Sequence, residues 1–156
     1  MSIAKSEKTL DLQLEWVRAA DAKVPPIFAI NIAMLGVVVA LMKTNSNWII
    51  YEGILTSLCL IPLVVSICFL ALSIFPRLSG PKGSNIFFGG ITNKSEEKFI
   101  EELKGESDIN YENDVLVQAY RNAEIADDKF RFIKYAFISS FISVPFWLIS
   151  IYLLYV

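Results

Sequence analysis

Three long stretches of the chain contain no charged residue, and this feature constrains the fold more than any other. The uncharged runs cover residues 25–42, 53–76 and 135–156 of the 156-residue sequence. A helix needs about 20 apolar residues to cross the hydrocarbon core of a bilayer. The composition agrees, because 54% of the residues are hydrophobic and only 19% are charged. The sequence therefore predicts a membrane protein with three transmembrane helices.

The basic residues are distributed unevenly around these runs. Four precede the first run, one lies between the first two, nine lie within residues 77–134, and none follow the third run. Because basic residues concentrate in cytoplasmic loops, we expect residues 1–24 and 77–134 to be cytoplasmic. The predicted spans are then 25–42, 49–76 and 135–156, within a single membrane domain. Four aromatic residues would lie near the outer interface: Trp48, Tyr51, Tyr152 and Tyr155.

The N-terminal segment is predicted to be an amphipathic helix over residues 6–23. Apolar residues recur there at helical spacing: Leu10, Leu14, Val17 and Val24. Asp21 lies on the same stripe, where it is either paired with a cation or placed at the solvated end. Val24 precedes Pro25-Pro26, which disfavours the helical conformation and predicts a bend at the membrane surface.

The segment between the second and third spans is predicted to hold turns and helices. Residues 77–94 are rich in glycine and proline, which marks a turn region. Ser95 can cap a short helix that stops at Gly105. A later apolar stripe predicts one unbroken helix over residues 112–156, roughly 67 Å long, with about half standing outside the bilayer as a stalk. The predicted fold class is an all-α membrane protein with an N-terminal amphipathic helix and a helical cytoplasmic segment between spans two and three.

Several function classes are disfavoured by what the sequence lacks. It has no histidine, so His-based catalytic and metal sites are excluded. Cys59 and Cys68 fall on opposite faces of one apolar helix, which argues against a zinc site or a disulfide. A net charge of -2 provides no basic field for nucleic acid. No acid or base lies deep within a span, since Glu52 is at the rim, and this disfavours an ion-coupled transporter. We expect no catalytic residue, cofactor or metal.

The turn from Ser79 to Asn85 is the candidate ligand site. Its glycines, lysine and hydroxyls could offer donors to a phosphate, although the spacing of a P-loop is missing and an ordinary turn fits as well. The adjacent aromatic residues could stack on a base or dip into the membrane interface. The candidate ligand-binding residues are Arg77, Lys82, Ser84, Asn85 and Phe88.

Four other residues are candidates for a structural or switching role: Asp21, Lys23, Asn31 and Lys129. Asp21 and Lys129 each lie on or next to an apolar cytoplasmic stripe just before a span, so the two side chains could pair. Asn31 lies inside a span, where a buried amide is expected to hydrogen-bond across helices.

An ordered set of short sequence pieces resembles a known family. The pieces are Ala20-Asp21-Ala22-Lys23, Phe75-Pro76-Arg77-Leu78, Ile86-Phe87-Phe88-Gly89 and Ala126-Asp127-Asp128-Lys129-Phe130, followed by Ala136. Together they resemble the PycTM domain of Pycsar effectors over nearly the whole chain. Pro25-Pro26 departs from the pattern, because it replaces what resembles a small-residue entry into the first span.

The resemblance implies a non-enzymatic anti-phage defence effector. In that family a neighbouring pyrimidine nucleotide cyclase makes cyclic CMP or cyclic UMP upon infection. The effector then oligomerises or rearranges and impairs the inner membrane, which gives abortive infection. For this chain the resemblance predicts a protein of the cell inner membrane, and the three runs and the basic residues predict a multi-pass topology with a cytoplasmic N-terminus. The residues alone also allow a membrane anchor or accessory subunit of a larger membrane complex.

Overall fold

The computed structural model describes residues 2–44, 49–78 and 80–155, which form five α-helices: α1 (Ile3–Thr44), α2 (Ile50–Ile74), α3 (Phe88–Thr92), α4 (Glu96–Gly105) and α5 (Asp108–Tyr155). No strand occurs within these ranges. Helices α1, α2 and α5 are each long and apolar enough to cross a membrane. The predicted all-α fold class with three spanning helices is confirmed. Trp48, expected at the outer interface, lies outside the described residues.

Helix α1 continues through Pro25-Pro26, so the predicted bend out of the helical conformation is wrong. Each proline removes a backbone donor and crowds the preceding turn, which disfavours a helix interior. The neighbouring residues offset this cost, because Val24 is 1% exposed and Ile27 is 6% exposed. Packing of a helix face generally contributes more to helix stability than intrinsic propensity does. The amphipathic segment and the first span are consequently one helix.

Local sequence signals account for the start of α4. The hydroxyl of Ser95 accepts a hydrogen bond from the Lys98 backbone N–H, as predicted for an N-cap. The pKa of Glu97 is lowered by hydrogen bonds from its own backbone N–H and from Ser95. Helix α4 ends at Gly105, also as predicted. The short helix α3 lies within the region that the sequence predicts as turns.

The chain packs as two compact units, and α1 and α5 contribute residues to both. The first, called the loop unit here, comprises Met1–Ala20 and Pro76–Asp128. The second, called the spanning unit, comprises Asp21–Phe75 and Lys129–Val156. The spanning unit contains all of α2, whereas the loop unit contains α3, α4 and the segment that follows α2.

The interior of the spanning unit is an apolar cluster from its three helices: Met34, Val38, Cys59, Leu63 and Leu154. At its edge the indole N–H of Trp147 donates to the Met34 carbonyl oxygen at 3.0 Å. Large apolar side chains also face outward, among them Ile30, Ile61 and Phe141. An apolar exterior of this kind suits contact with lipid.

Candidate functional site

The hydroxyl of Ser84 is the centre of a hydrogen-bond network in the loop unit. The side chain is buried, and its Oγ donates to Asp114 Oδ2 at 2.9 Å. The same oxygen accepts the backbone N–H groups of Ile86 at 3.1 Å and Phe87 at 2.9 Å. It also accepts the side-chain amide of Gln118 at 3.2 Å. Ser84 thereby fixes the segment after α2 against α5.

The backbone around Ser84 follows from its sequence. A serine hydroxyl that bonds to N–H groups two and three residues further on stabilises a turn. The Asp114 carboxylate supports this turn by accepting the Asn85 backbone N–H at 2.9 Å. Gly90 packs closely beside it, because a Cβ there would lie 2.5 Å from the Ser84 carbonyl oxygen. Gly83 has a φ of 79°, a conformation that favours glycine.

Lys94 holds the other side of the same turn. Its ammonium donates to the Gly83 carbonyl oxygen at 3.0 Å and to Asn85 Oδ1 at 2.7 Å. It also lies 2.7 Å from a carboxylate oxygen of Glu102 on α4. The hydrogen bond from Lys94 lowers the pKa of Glu102. Sequence reasoning missed Lys94, since nothing in its local pattern indicates these partners.

A cleft of about 330 Å³ opens beside the Ser84 turn, within the usual size range of small-molecule sites. Aromatic rings form part of its wall, and the centroids of Phe87 and Phe88 lie 4.7 Å apart. The lining, as far as the described residues define it, includes two arginines and no acid: Leu10, Leu14, Arg77, Ile86, Phe87, Phe88, Gln118, Arg121, Asn122 and Ile125. The cleft therefore combines aromatic walls with two guanidinium groups, which are also paired with Asp128 and Glu124.

Arg77 is the most unusual residue of the cleft. Its Nη2 lies 3.5 Å from Asp128 Oδ2, and its side chain is 18% exposed. Its Nη1 is buried and has no hydrogen-bond partner among the described residues. A buried charged donor without a partner costs free energy. Arg77 therefore lines the cleft and carries one unsatisfied donor on the buried part of its guanidinium.

The structure distributes the five sequence-derived ligand candidates over three places. Arg77 and Phe88 line the cleft described above. Lys82 lines a separate cleft of about 550 Å³ on the glycine-rich turn. The side chains of Ser84 and Asn85 are engaged by Asp114 and Lys94, and they hold the turn together.

Sequence reasoning missed three polar residues of the cleft: Gln118, Arg121 and Asn122. Gln118 and Asn122 lie one helical turn apart on α5, and both line the cleft. The signal that could have found Gln118 and Asn122 is the helical spacing of two carboxamide side chains beside an apolar stripe.

The three charged candidates of the spanning unit each contact a residue on another helix. The ammonium of Lys129 contacts Asp21, which confirms the predicted pairing. The hydroxyl of Ser73 on α2 donates to the Lys129 carbonyl oxygen at 3.5 Å. The ammonium of Lys23 lies 4.6 Å from the centroid of the Phe130 ring. These contacts join α1, α2 and α5.

Asn31 belongs to a closed ring of hydrogen bonds among three helices. Its amide nitrogen donates to Ser66 Oγ at 2.7 Å, and its carbonyl oxygen accepts from Ser140 Oγ at 2.8 Å. The two serine oxygens are 2.8 Å apart. The expected interhelical bonding of Asn31 is thus present, and it involves α1, α2 and α5.

Comparison with known proteins identifies the family. The family model of the PycTM Pycsar effector protein domain matches residues 5–156. The chain belongs to the Pycsar effector family. A similar curated protein, Pycsar effector protein SaPycTM of Staphylococcus aureus, is 29% identical over 127 residues, which are 81% of this chain and 79% of that protein. No solved structure matches the chain.

Membership in the Pycsar effector family makes the chain an anti-phage defence effector. The three long apolar helices make this effector a multi-pass membrane protein. The family implies a signalling system in which a cyclase supplies a cyclic nucleotide. Arg77, Phe88, Asp21 and Lys129 all fall within the sequence pieces that resemble the family.

Proposed function

We propose that this Pycsar effector binds cyclic CMP or cyclic UMP in the cleft beside Arg77 and responds by impairing the inner membrane. It acts without catalysis, and the resulting death of the infected cell is abortive infection. The observation that carries the proposal is that Arg77, which has one unpartnered donor, lines a cleft with aromatic walls and no acidic lining among the described residues.

The ligand chemistry matches the cleft in two respects. A cyclic phosphodiester carries one negative charge, and an arginine guanidinium binds phosphate oxygens through its planar donors. A nucleotide base also has a flat face that stacks on aromatic side chains. Arg77 would hold the phosphate while Phe87 or Phe88 covers the base.

The response requires that the ligand favour one of two states, because equal affinity for both would shift nothing. Arg77 lies near Asp128 in the structure, so a bound phosphate would compete with this carboxylate. Asp128 directly precedes Lys129, and α5 continues from there into the spanning unit. A change at Arg77 can therefore reach the Asp21–Lys129 pair, Lys23 and the Asn31 ring along one helix.

Self-association completes the proposed mechanism. Three spans are too few to enclose a pore comfortably, so a symmetric homo-oligomer is expected. The N-terminus and residues 77–134 are proposed to be cytoplasmic, where the cyclase product accumulates. In a cysteine-free background, a membrane-impermeant reagent should label Ser46→Cys from outside and leave Asn113→Cys unlabelled. Labelling of position 113 from outside would overturn this orientation.

The binding proposal is tested with purified full-length protein and with cells. Loss of one charge-assisted contact costs about 1.5–3 kcal/mol, so Arg77→Ala should weaken nucleotide binding roughly 10- to 150-fold. Phe88→Ala, at an exposed position, should also weaken it without disturbing the fold. Arg18→Ala removes the same charge from an exposed site on α1 and is the matched control.

The cellular readout is membrane potential in cells that express each variant and receive cyclic CMP or cyclic UMP. Arg77→Ala should raise the nucleotide concentration needed for depolarisation, whereas Arg18→Ala should not. Unchanged affinity in both Arg77→Ala and Phe88→Ala would remove this cleft as the binding site.

A further inference from the structure

The orientation of two side-chain amides in the cleft follows from their hydrogen-bond partners. Ser84 has one hydroxyl hydrogen, which goes to the Asp114 carboxylate at 2.9 Å. An ionised carboxylate only accepts hydrogen bonds. Ser84 has no second hydrogen to donate to Gln118, so a carbonyl oxygen of Gln118 would be repelled at this distance of 3.2 Å. The NH₂ group of Gln118 faces Ser84, and its carbonyl oxygen Oε1 points elsewhere.

The same reasoning fixes Asn122. Its side chain lies 2.9 Å from the backbone carbonyl oxygen of Gln118, which can only accept. The NH₂ group of Asn122 therefore faces that carbonyl. Because both amides are oriented by acceptors, their assignment rests on chemistry rather than on the similar shapes of oxygen and nitrogen.

The two amide oxygens are therefore available to accept hydrogen bonds from a ligand in the cleft. Gln118 Oε1 and Asn122 Oδ1 accept no hydrogen bond from any residue that the structure describes. Both residues line the cleft, and neither oxygen is among the buried polar atoms that lack a partner, so solvent reaches both oxygens. A ligand in the cleft can therefore bring a donor to them.

We propose that this cleft selects a pyrimidine with an exocyclic amino group, so that the effector binds cyclic CMP in preference to cyclic UMP. The inference rests on the proposed function and specifies its ligand. Cytosine carries an N4 amino group with two hydrogens, whereas the carbonyl at the same ring position of uracil is an acceptor. The amino group can serve both amide oxygens, and the uracil carbonyl would face them without a hydrogen.

The distinguishing measurement is calorimetric titration of the purified full-length protein in detergent with each nucleotide. Binding of cyclic CMP should be at least about tenfold tighter, since a site built for a donor rejects an analogue that lacks it. Equal or tighter binding of cyclic UMP would overturn the base preference while leaving the proposed function intact. Absence of binding by both nucleotides would instead contradict the proposed function.

Variants separate base recognition from a merely structural role. Asn122→Leu and Gln118→Met keep the side-chain size but remove the acceptors, so they should weaken cyclic CMP binding about tenfold and leave cyclic UMP binding nearly unchanged. Asn93→Leu is the matched control, because Asn93 likewise donates to a backbone carbonyl four residues earlier and lies outside this cleft. Equal losses for both nucleotides in Asn122→Leu and Gln118→Met would overturn the proposal.

Discussion

The ammonium of Lys129 lies 2.5 Å from Asp21 Oδ1, although the two residues are 108 positions apart in the chain. The environments of the two charges differ. The Lys129 side chain is 10% exposed, whereas that of Asp21 is 47% exposed. Removal of the carboxylate leaves a buried ammonium without its anion, while removal of the ammonium leaves a carboxylate that water can solvate. The two single substitutions are therefore not equivalent.

We expect Asp21→Ala to destabilise the protein by about 1–3 kcal/mol and Lys129→Met by less than about 1 kcal/mol. The double variant should be more stable than Asp21→Ala alone, because it removes the unpaired buried charge. Unfolding in detergent, followed by tryptophan fluorescence, measures the stability of the two single variants and of the double variant. Lys134→Met, at an exposed position, is the control. Equal and additive losses would show that the pair is not coupled.

The sequence predicted those parts of the fold that depend on local pattern. Uncharged runs predict the three spanning helices, and the Ser95 cap and Gly105 predict the bounds of α4. Each of these signals lies within the helix that it predicts or directly beside it. The continuity of α1 at Pro25-Pro26 was missed, since it depends on the burial of Val24 and Ile27, which the local sequence does not state.

The candidate site is also predicted only in part, because some of its contacts join residues that are distant in sequence. Arg77 and Phe88 are predicted from their residue types near the glycine-rich turn, and both line the cleft. The assignment of Lys94 and Gln118 requires the turn to fold back on α4 and α5, which no local pattern states. Ser84 is predicted as a ligand contact, and in the structure its hydroxyl donates to Asp114.

The Asn31 ring should contribute measurably to the stability of the spanning unit. Interhelical hydrogen bonds in membranes average about 0.6 kcal/mol and reach about 1.7 kcal/mol. Because Asn31 makes two such bonds, Asn31→Leu should lower the free energy of unfolding by about 1–2 kcal/mol. Ser57→Ala is the control, since Ser57 is exposed and its hydroxyl donates to the Gly53 carbonyl oxygen of its own helix. A stability of Asn31→Leu equal to that of the original protein would contradict this role.

Gly90 is expected to tolerate no side chain. A Cβ there would lie 2.5 Å from the Ser84 carbonyl oxygen, a backbone atom that cannot rotate away. Gly90→Ala should therefore destabilise the loop unit by about 1–3 kcal/mol, as overpacking usually does. Gly105→Ala meets no atom within 4 Å and should leave stability unchanged or slightly higher. Thermal unfolding of the two purified variants tests this difference, and similar losses in both would contradict it.

The Lys94–Glu102 pair should make the stability of the loop unit depend on acid pH. The hydrogen bond from Lys94 lowers the pKa of Glu102 below its ordinary value of 4.5. A carboxyl whose pKa is lower in the folded state stabilises the fold at pH values above the unfolded pKa, and this contribution is lost as the pH falls through the folded pKa. Glu102→Gln should therefore reduce the unfolding midpoint near neutral pH, and its difference from the original protein should vanish as the pH is lowered from about 7 to about 3. Glu101→Gln, which changes a neighbouring exposed carboxyl, should show no such convergence. A difference that stays constant over the whole pH range would mean that the ionised form of Glu102 does not stabilise the turn through Lys94.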